Sequence, residues 1–250
     1  MTETLREILL NSSDEDIQVL VEYQKNEKRF RGIADKYAKV SALIDEIRKN
    51  GGNTFRNLIR GEGVEYDIIV RDVANQLKVK YEKNAQTDNI EFEIIKKLIA
   101  DEFEKMSLEQ KKEILENLGA ENADAIIAAP AMLTGLLAAK LSGFAIYKLT
   151  AIVANAIARA ILGRGIGFAA GAALMRGIGV ALGPVGWVFA GAWFAIDLAG
   201  PAFSKTIPSI VQVALLRQKY RQEQGRKCHK CNAPIIIGAK YCIECGEPIK

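Results

Sequence analysis

The chain has 250 residues, 49% hydrophobic and 26% charged, with a formal net charge of +4. That length allows a sizeable core in one or two domains, and the composition is globular on average, which excludes a disordered or collagen-like chain. The charge is unevenly spread, with net −4 over residues 1–120, +3 over 121–216 and +5 over 217–250. Three compositions imply three parts: a charged amphipathic helical domain (1–120), an apolar glycine-rich helical region (121–216), and a small zinc ribbon (228–250) behind a basic linker (217–227). The expected fold class is mainly α.

The opening MTETLREILL carries an acid in its first residues and no long apolar run, so no secretory signal is expected. Apolar residues then recur at helical spacing in DEDIQVLVEYQ, at Ile17, Leu20 and Val21, with capping residues in the preceding NSSD. Tyr37–Lys49 places Val40, Leu43, Ile44 and Ile47 on one face, and Gly51-Gly52 stops that helix. A short helix is expected around Phe55, Leu58 and Ile59, and two amphipathic runs over Tyr66–Val79 and Ile90–Phe103. Ser107 to Gln110 reads as a capping box.

From Ala125 to Leu216 the charges are Lys140, Lys148, Arg159, Arg164, Arg176, Asp197 and Lys205, and the run from Gly177 to Ile196 has none. That run matches the roughly 20 residues that cross a hydrocarbon layer. The shorter stretches Ala125–Ala139 and Leu149–Ala158 are expected in or along a membrane, with Leu149–Gly163 and Gly177–Ile196 as the arms of a hairpin. Gly163, Gly167 and Gly171, then Gly179 and Gly183, repeat every four residues and read as a glycine zipper, a helix-packing stripe. Trp187 and Trp193 suit an interface or a core, and Pro184 marks a kink or break. A helix apolar all round is wrapped by lipid or by protein. Three states stay open: embedded in membrane, buried in a soluble fold, or switching between the two.

The linker supplies Arg217, Lys219, Arg221, Arg226 and Lys227, expected to face anionic lipid. In CHKCNAPIIIGAKYCIECGEPI, Cys228, Cys231, Cys242 and Cys245 form two CxxC pairs ten residues apart, the pattern of a closed four-thiolate site for structural Zn2+. Gly246, after the second pair, is expected in a left-handed or tight turn, and Ile235–Ile237 with Lys240–Tyr241 in a small hairpin. This tail resembles the short zinc ribbons appended to many prokaryotic proteins.

NGGNTFRNLIRGEGVEYDIIVRDVANQLKVK and GVALGPVGWVFAGAWFAIDLAGPAF…TIPSIVQVALLR are similar to the YaaW-like family of bacterial proteins, over most of residues 1–217. That family carries a loose label relating it to ubiquinol–cytochrome c assembly chaperones, which implies an assembly role near a membrane. The resemblance implies no catalytic residues. The chain has no HExxH, nucleophile elbow or phosphate loop and a single histidine, so no reaction is expected.

The expected function is a non-enzymatic, membrane-associated helical protein that binds protein partners through its cytosolic ends, as an assembly or stress factor. The alternatives are a membrane-inserting, pore-forming-like effector of bacterial defence, including antiviral defence, and a soluble zinc-ribbon binder of nucleic acid or protein. The expected partners are membrane lipid and a protein or second copy of the chain, not nucleic acid. The expected place is the bacterial inner membrane with the ends facing the cytoplasm, beside a cytoplasmic pool.

Overall fold

In the computed structural model the described residues are 3–51, 63–103, 106–117, 122–128, 143–166, 203–223, 230–231 and 245–248. Ten helices occur among them, and no strand, so the protein is mainly α as expected. The second begins where the sequence implies, in NSSD. In α1 (Leu5–Asn11), Thr4 caps the start by accepting from the Glu7 amide at 3.1 Å. In α2 (Asp14–Tyr23), Ser13 and Asp16 form a reciprocal capping box that satisfies two otherwise orphaned amides. A short α3 (Glu27–Phe30) leads to α4 (Lys36–Gly51), which Asp35 starts by accepting from the Ala38 amide at 2.8 Å.

Two glycines allow α4 and α5 (Tyr66–Gln76) to approach closely. A Cβ on Gly51 would lie 2.4 Å from Ile69, and one on Gly63 would lie 2.6 Å from the Arg48 Cβ and 2.7 Å from its backbone carbon. Hence the glycines on either side of the connection. The short helix expected around Phe55, Leu58 and Ile59 lies outside the described residues. The amphipathic run expected at Ile90–Phe103 is α6 (Thr87–Phe103). Ser107 and Gln110 bond reciprocally at the start of α7 (Leu108–Asn117), as the capping box implies. A short α8 (Ala123–Ala128) follows and packs on α7.

Two helices form the centre, α9 (Gly143–Leu162) and α10 (Phe203–Glu223). Every residue from Leu149 to Ala158 and from Thr206 to Arg217 is buried. These two stretches have no solvent face because other helices surround them: α9 lies against α10, α6 and α2, and α10 also touches α1, α2, α4, α5 and α6. Each enclosed Ile, Leu or Val contributes about 1.5–3 kcal/mol of burial. The stretch Leu149–Ala158, expected in or along a membrane, is therefore enclosed by protein. A helix apolar all round fits either solvent, and here the amphipathic faces of α2 and α6 cover it. Helix α10 also runs without a break through the boundary expected at residue 217, so the first residues of the expected linker are helical.

Gly163 corrects a second expectation. It is not part of a helix-packing stripe, because α9 ends at Leu162. Gly163 has φ +67° and donates its amide to the Arg159 carbonyl at 3.1 Å, so it is the left-handed residue that closes the helix. Gly167, Gly171, Gly179 and Gly183 lie outside the described residues, as does the run Gly177–Ile196. No described helix is long and apolar enough to cross a membrane.

Candidate functional site

The densest polar arrangement surrounds the C-terminal half of α10. Arg217 is 1% exposed, and its guanidinium forks onto Glu91 of α6, Nε to Oε2 at 2.8 Å and Nη2 to Oε1 at 2.9 Å. Its Nη1 donates to the Glu3 carbonyl at 2.6 Å. The Tyr66 hydroxyl of α5 donates to Glu91 at 2.9 Å. One turn on, Arg221 spans the Glu3 carboxylate and Asp88, at 2.8 Å to each. Lys219 donates to Asp16 at 2.6 Å, the acid that also caps α2, and the Tyr220 hydroxyl donates to Glu7 at 2.9 Å.

The electrostatics follow from burial and pairing. Hydrogen bonding from Arg221 holds the Glu3 carboxyl at about 2, against an ordinary 4.5. Burial pushes Glu91 up, opposed by Arg217 and the Tyr66 hydroxyl, and burial with the charge of Glu91 pushes Tyr66 well up. Burial opposes the charge on Arg217, but Glu91 beside it prevails and holds its pKa above the ordinary value. These groups are paired with one another, and the arrangement ties the N-terminus, α5, α6 and α10 together.

Three of the five side chains expected to face lipid are therefore elsewhere. Arg217 is in the core, and Lys219 and Arg221 are engaged by Asp16, Glu3 and Asp88. Their partners come from the acidic N-terminal part and were not visible from the basic run alone. Arg226 and Lys227 lie outside the described residues.

A second polar junction sits at the C-terminal end of α2. Arg164, just past α9, places Nη2 2.7 Å from both carboxylate oxygens of Glu22. Two residues on, Gln24 donates to Ser209 of α10 at 2.8 Å and accepts from Asn50 of α4 at 2.9 Å. Lys205 of α10 donates to the same Asn50 at 3.1 Å. Here α9 ends and α10 begins. The Asn155 side chain shapes the turn after α9 by accepting from the Ile166 amide at 3.1 Å, and a Cβ on Gly165 would lie 2.6 Å from it.

Among the described residues, some buried polar atoms of α2, α9 and α10 have no partner: both amide atoms of Gln212 in α10, the Asn155 Nδ2 in α9 and the Tyr23 hydroxyl in α2. Burial first, then the charge of Glu22, pushes the Tyr23 hydroxyl pKa up.

Of the cysteine tail, Cys231 is exposed and Cys245 half-buried; Cys228 and Cys242 lie outside the described residues, as does the hairpin expected between the pairs. Gly246 has φ +71°, the left-handed backbone expected after the second pair. Lys230, beside Cys231, lies 3.1 Å from Glu247, two residues past Cys245. Among the described residues no group of three or more metal-ligating side chains occurs.

No family model matches the chain, and no solved structure does. Relatives do. The chain is 39% identical over 231 residues to a UPF0174 protein of Helicobacter pylori strain J99, covering 87% of this chain and 91% of that one. It is 36% identical over 215 residues to a second UPF0174 protein of that strain, covering 84% of this chain and all of the relative. It is 32% identical over 177 residues to the UPF0174 protein YaaW of Escherichia coli K12, covering 70% of each.

Proposed function

The chain belongs to the UPF0174 family, whose name states no reaction, and on that premise we propose a non-enzymatic helical protein that associates with a membrane through the apolar segment 167–200 and binds protein partners through its helical body and cysteine tail. The observation that carries this reading is how the amphipathic helices are used. The apolar faces of α1, α2, α4, α5 and α6 already meet α9 and α10 or one another. The uncharged run Gly177–Ile196 adds roughly the length of one membrane crossing to this core. Lipid is the solvent that accepts such a run without further protein cover. An assembly factor at the cytoplasmic face of a bacterial inner membrane fits this architecture.

The tail completes the reading as a zinc-held module. Cys228, Cys231, Cys242 and Cys245 supply four thiolates, a closed donor set that gives zinc a structural role. The left-handed Gly246 and the Lys230–Glu247 pair, which joins the neighbourhoods of the two CxxC pairs, support it. A unit this small has no core of its own, so the metal would stabilise it. One zinc per chain in the purified protein, lost in Cys231→Ser, is the expected analysis; zinc-free protein with an unchanged tail contradicts it.

The chain carries its own membrane probe. Its two tryptophans, Trp187 and Trp193, both lie in the apolar segment. Adding lipid vesicles to the full-length protein shifts their emission to shorter wavelength, and brominated acyl chains quench it. Emission indifferent to vesicles contradicts the membrane reading. Release of a trapped dye would favour the pore-forming-like effector over the assembly factor.

A further inference from the structure

The described residues stop at Ile166 and resume at Phe203, and the residues on either side are fastened to one place. Arg164 is held by Glu22, in the last turn of α2. Ser209 and Lys205, in the first turns of α10, are held by Gln24 directly and by Asn50, itself bonded to Gln24. The two anchors, Glu22 in the last turn of α2 and Gln24 just past it, are two residues apart. The residues that flank the apolar segment therefore meet at one junction.

The charges exposed around that junction are of one sign more than the other. Lys25, which follows Gln24, is exposed, as are Lys28 in α3 and Lys49 beside Asn50 in α4. Arg164 is itself half-exposed. Three acids of this region are each engaged by an arginine: Glu22 by Arg164, and Asp45 and Glu46 by Arg29, at 3.7 and 2.6 Å. Glu27 is the exposed acid there with no such partner among the described residues.

We propose that this face, formed by the end of α2, α3, the end of α4 and the first turn of α10, is the surface the protein lays against an anionic lipid bilayer, with Lys25, Lys28 and Lys49 on the headgroups. The proposal rests on the membrane reading above and deepens it by giving the body an orientation. Because the flanks of the apolar segment meet at this junction, the helical body lies on one side of the bilayer. Anionic headgroups attract cations held near them, and each basic residue contributes enough that losing three weakens binding about a hundredfold. Salt weakens the attraction further, since exposed charges are screened within about 10 Å at ordinary ionic strength.

The test uses the full-length protein and the tryptophan signal. The triple variant Lys25→Gln, Lys28→Gln, Lys49→Gln is compared with Lys78→Gln, Lys80→Gln, Lys83→Gln, which removes three exposed lysines from the α5–α6 connection. The first triple weakens partition onto phosphatidylglycerol-containing vesicles about a hundredfold and leaves partition onto pure phosphatidylcholine unchanged, while the second matches the parent protein. Equal losses in both triples, or none in either, overturn the orientation while leaving the membrane reading intact. Tryptophans of the parent protein that respond to neither vesicle overturn both. Melting curves of the two triples that overlay the parent's show that the difference is not one of folding.

Discussion

Two basic regions of this protein have opposite fates. Arg217, Lys219 and Arg221 form a dense run on one helix, yet their charges are directed inward onto Glu3, Asp16, Asp88 and Glu91. Lys25, Lys28 and Lys49 are scattered along the chain, yet all are exposed and stand beside residues that join α2, α3 and α4, namely Gln24, Asn26, Arg29 and Asn50. Local density of charge is therefore a poor guide to which cations meet a partner. What decides is whether acids from elsewhere in the chain arrive at the same place, and the first run is met by residues up to 218 positions away.

The first way to break the comparison is to remove the centre of the inward set. Arg217→Ala leaves Glu91 enclosed without its counter-charge, and the expected loss is about 3–5 kcal/mol in a denaturant titration. Converting Glu91→Leu and Arg217→Met together removes both charges and recovers most of that loss. Arg217→Ala with unaltered stability would mean that the guanidinium is not in the core.

Acid sharpens the same contrast. The Glu3 carboxyl sits at about 2 in the folded chain, below its ordinary 4.5. The folded protein thus binds fewer protons there than the unfolded one. This contribution to stability is fully present above pH 4.5 and is lost as pH falls toward 2. The melting temperature should fall across that window, and Glu3→Gln should make the fall shallower. An identical profile in the variant would remove Glu3 from the account.

A smaller effect of opposite sign is expected at Gln212, whose buried amide has no hydrogen-bond partner among the described residues. Gln212→Leu keeps the volume similar and removes the desolvation penalty, so it raises stability by about 1–3 kcal/mol. A lower melting temperature in that variant would show that the amide is satisfied in solution.

Much of the helical body was legible because its signals are local. The caps in NSSD, the capping box Ser107–Gln110, the stop at Gly51 and the face led by Val40 depend on neighbours a few residues away. What was not legible depends on distance in sequence. The repeat that includes Gly163 also fits a packing stripe, and only the end of α9 shows that this glycine is a cap. The all-round apolar Leu149–Ala158 fits lipid as well as protein until α2, α6 and α10 are seen around it. The junction where α9 ends and α10 begins joins residues as far apart as Glu22 and Arg164, and no spacing rule pairs them.

Hydrogen exchange with and without phosphatidylglycerol-containing vesicles tests the two-region account most directly. The account predicts new protection over residues 22–29 and 47–51, with residues 217–223 and the first turn of α1 unchanged. Protection at the C-terminal end of α10 with none at the end of α2 would contradict it, and would return the dense basic run to the membrane.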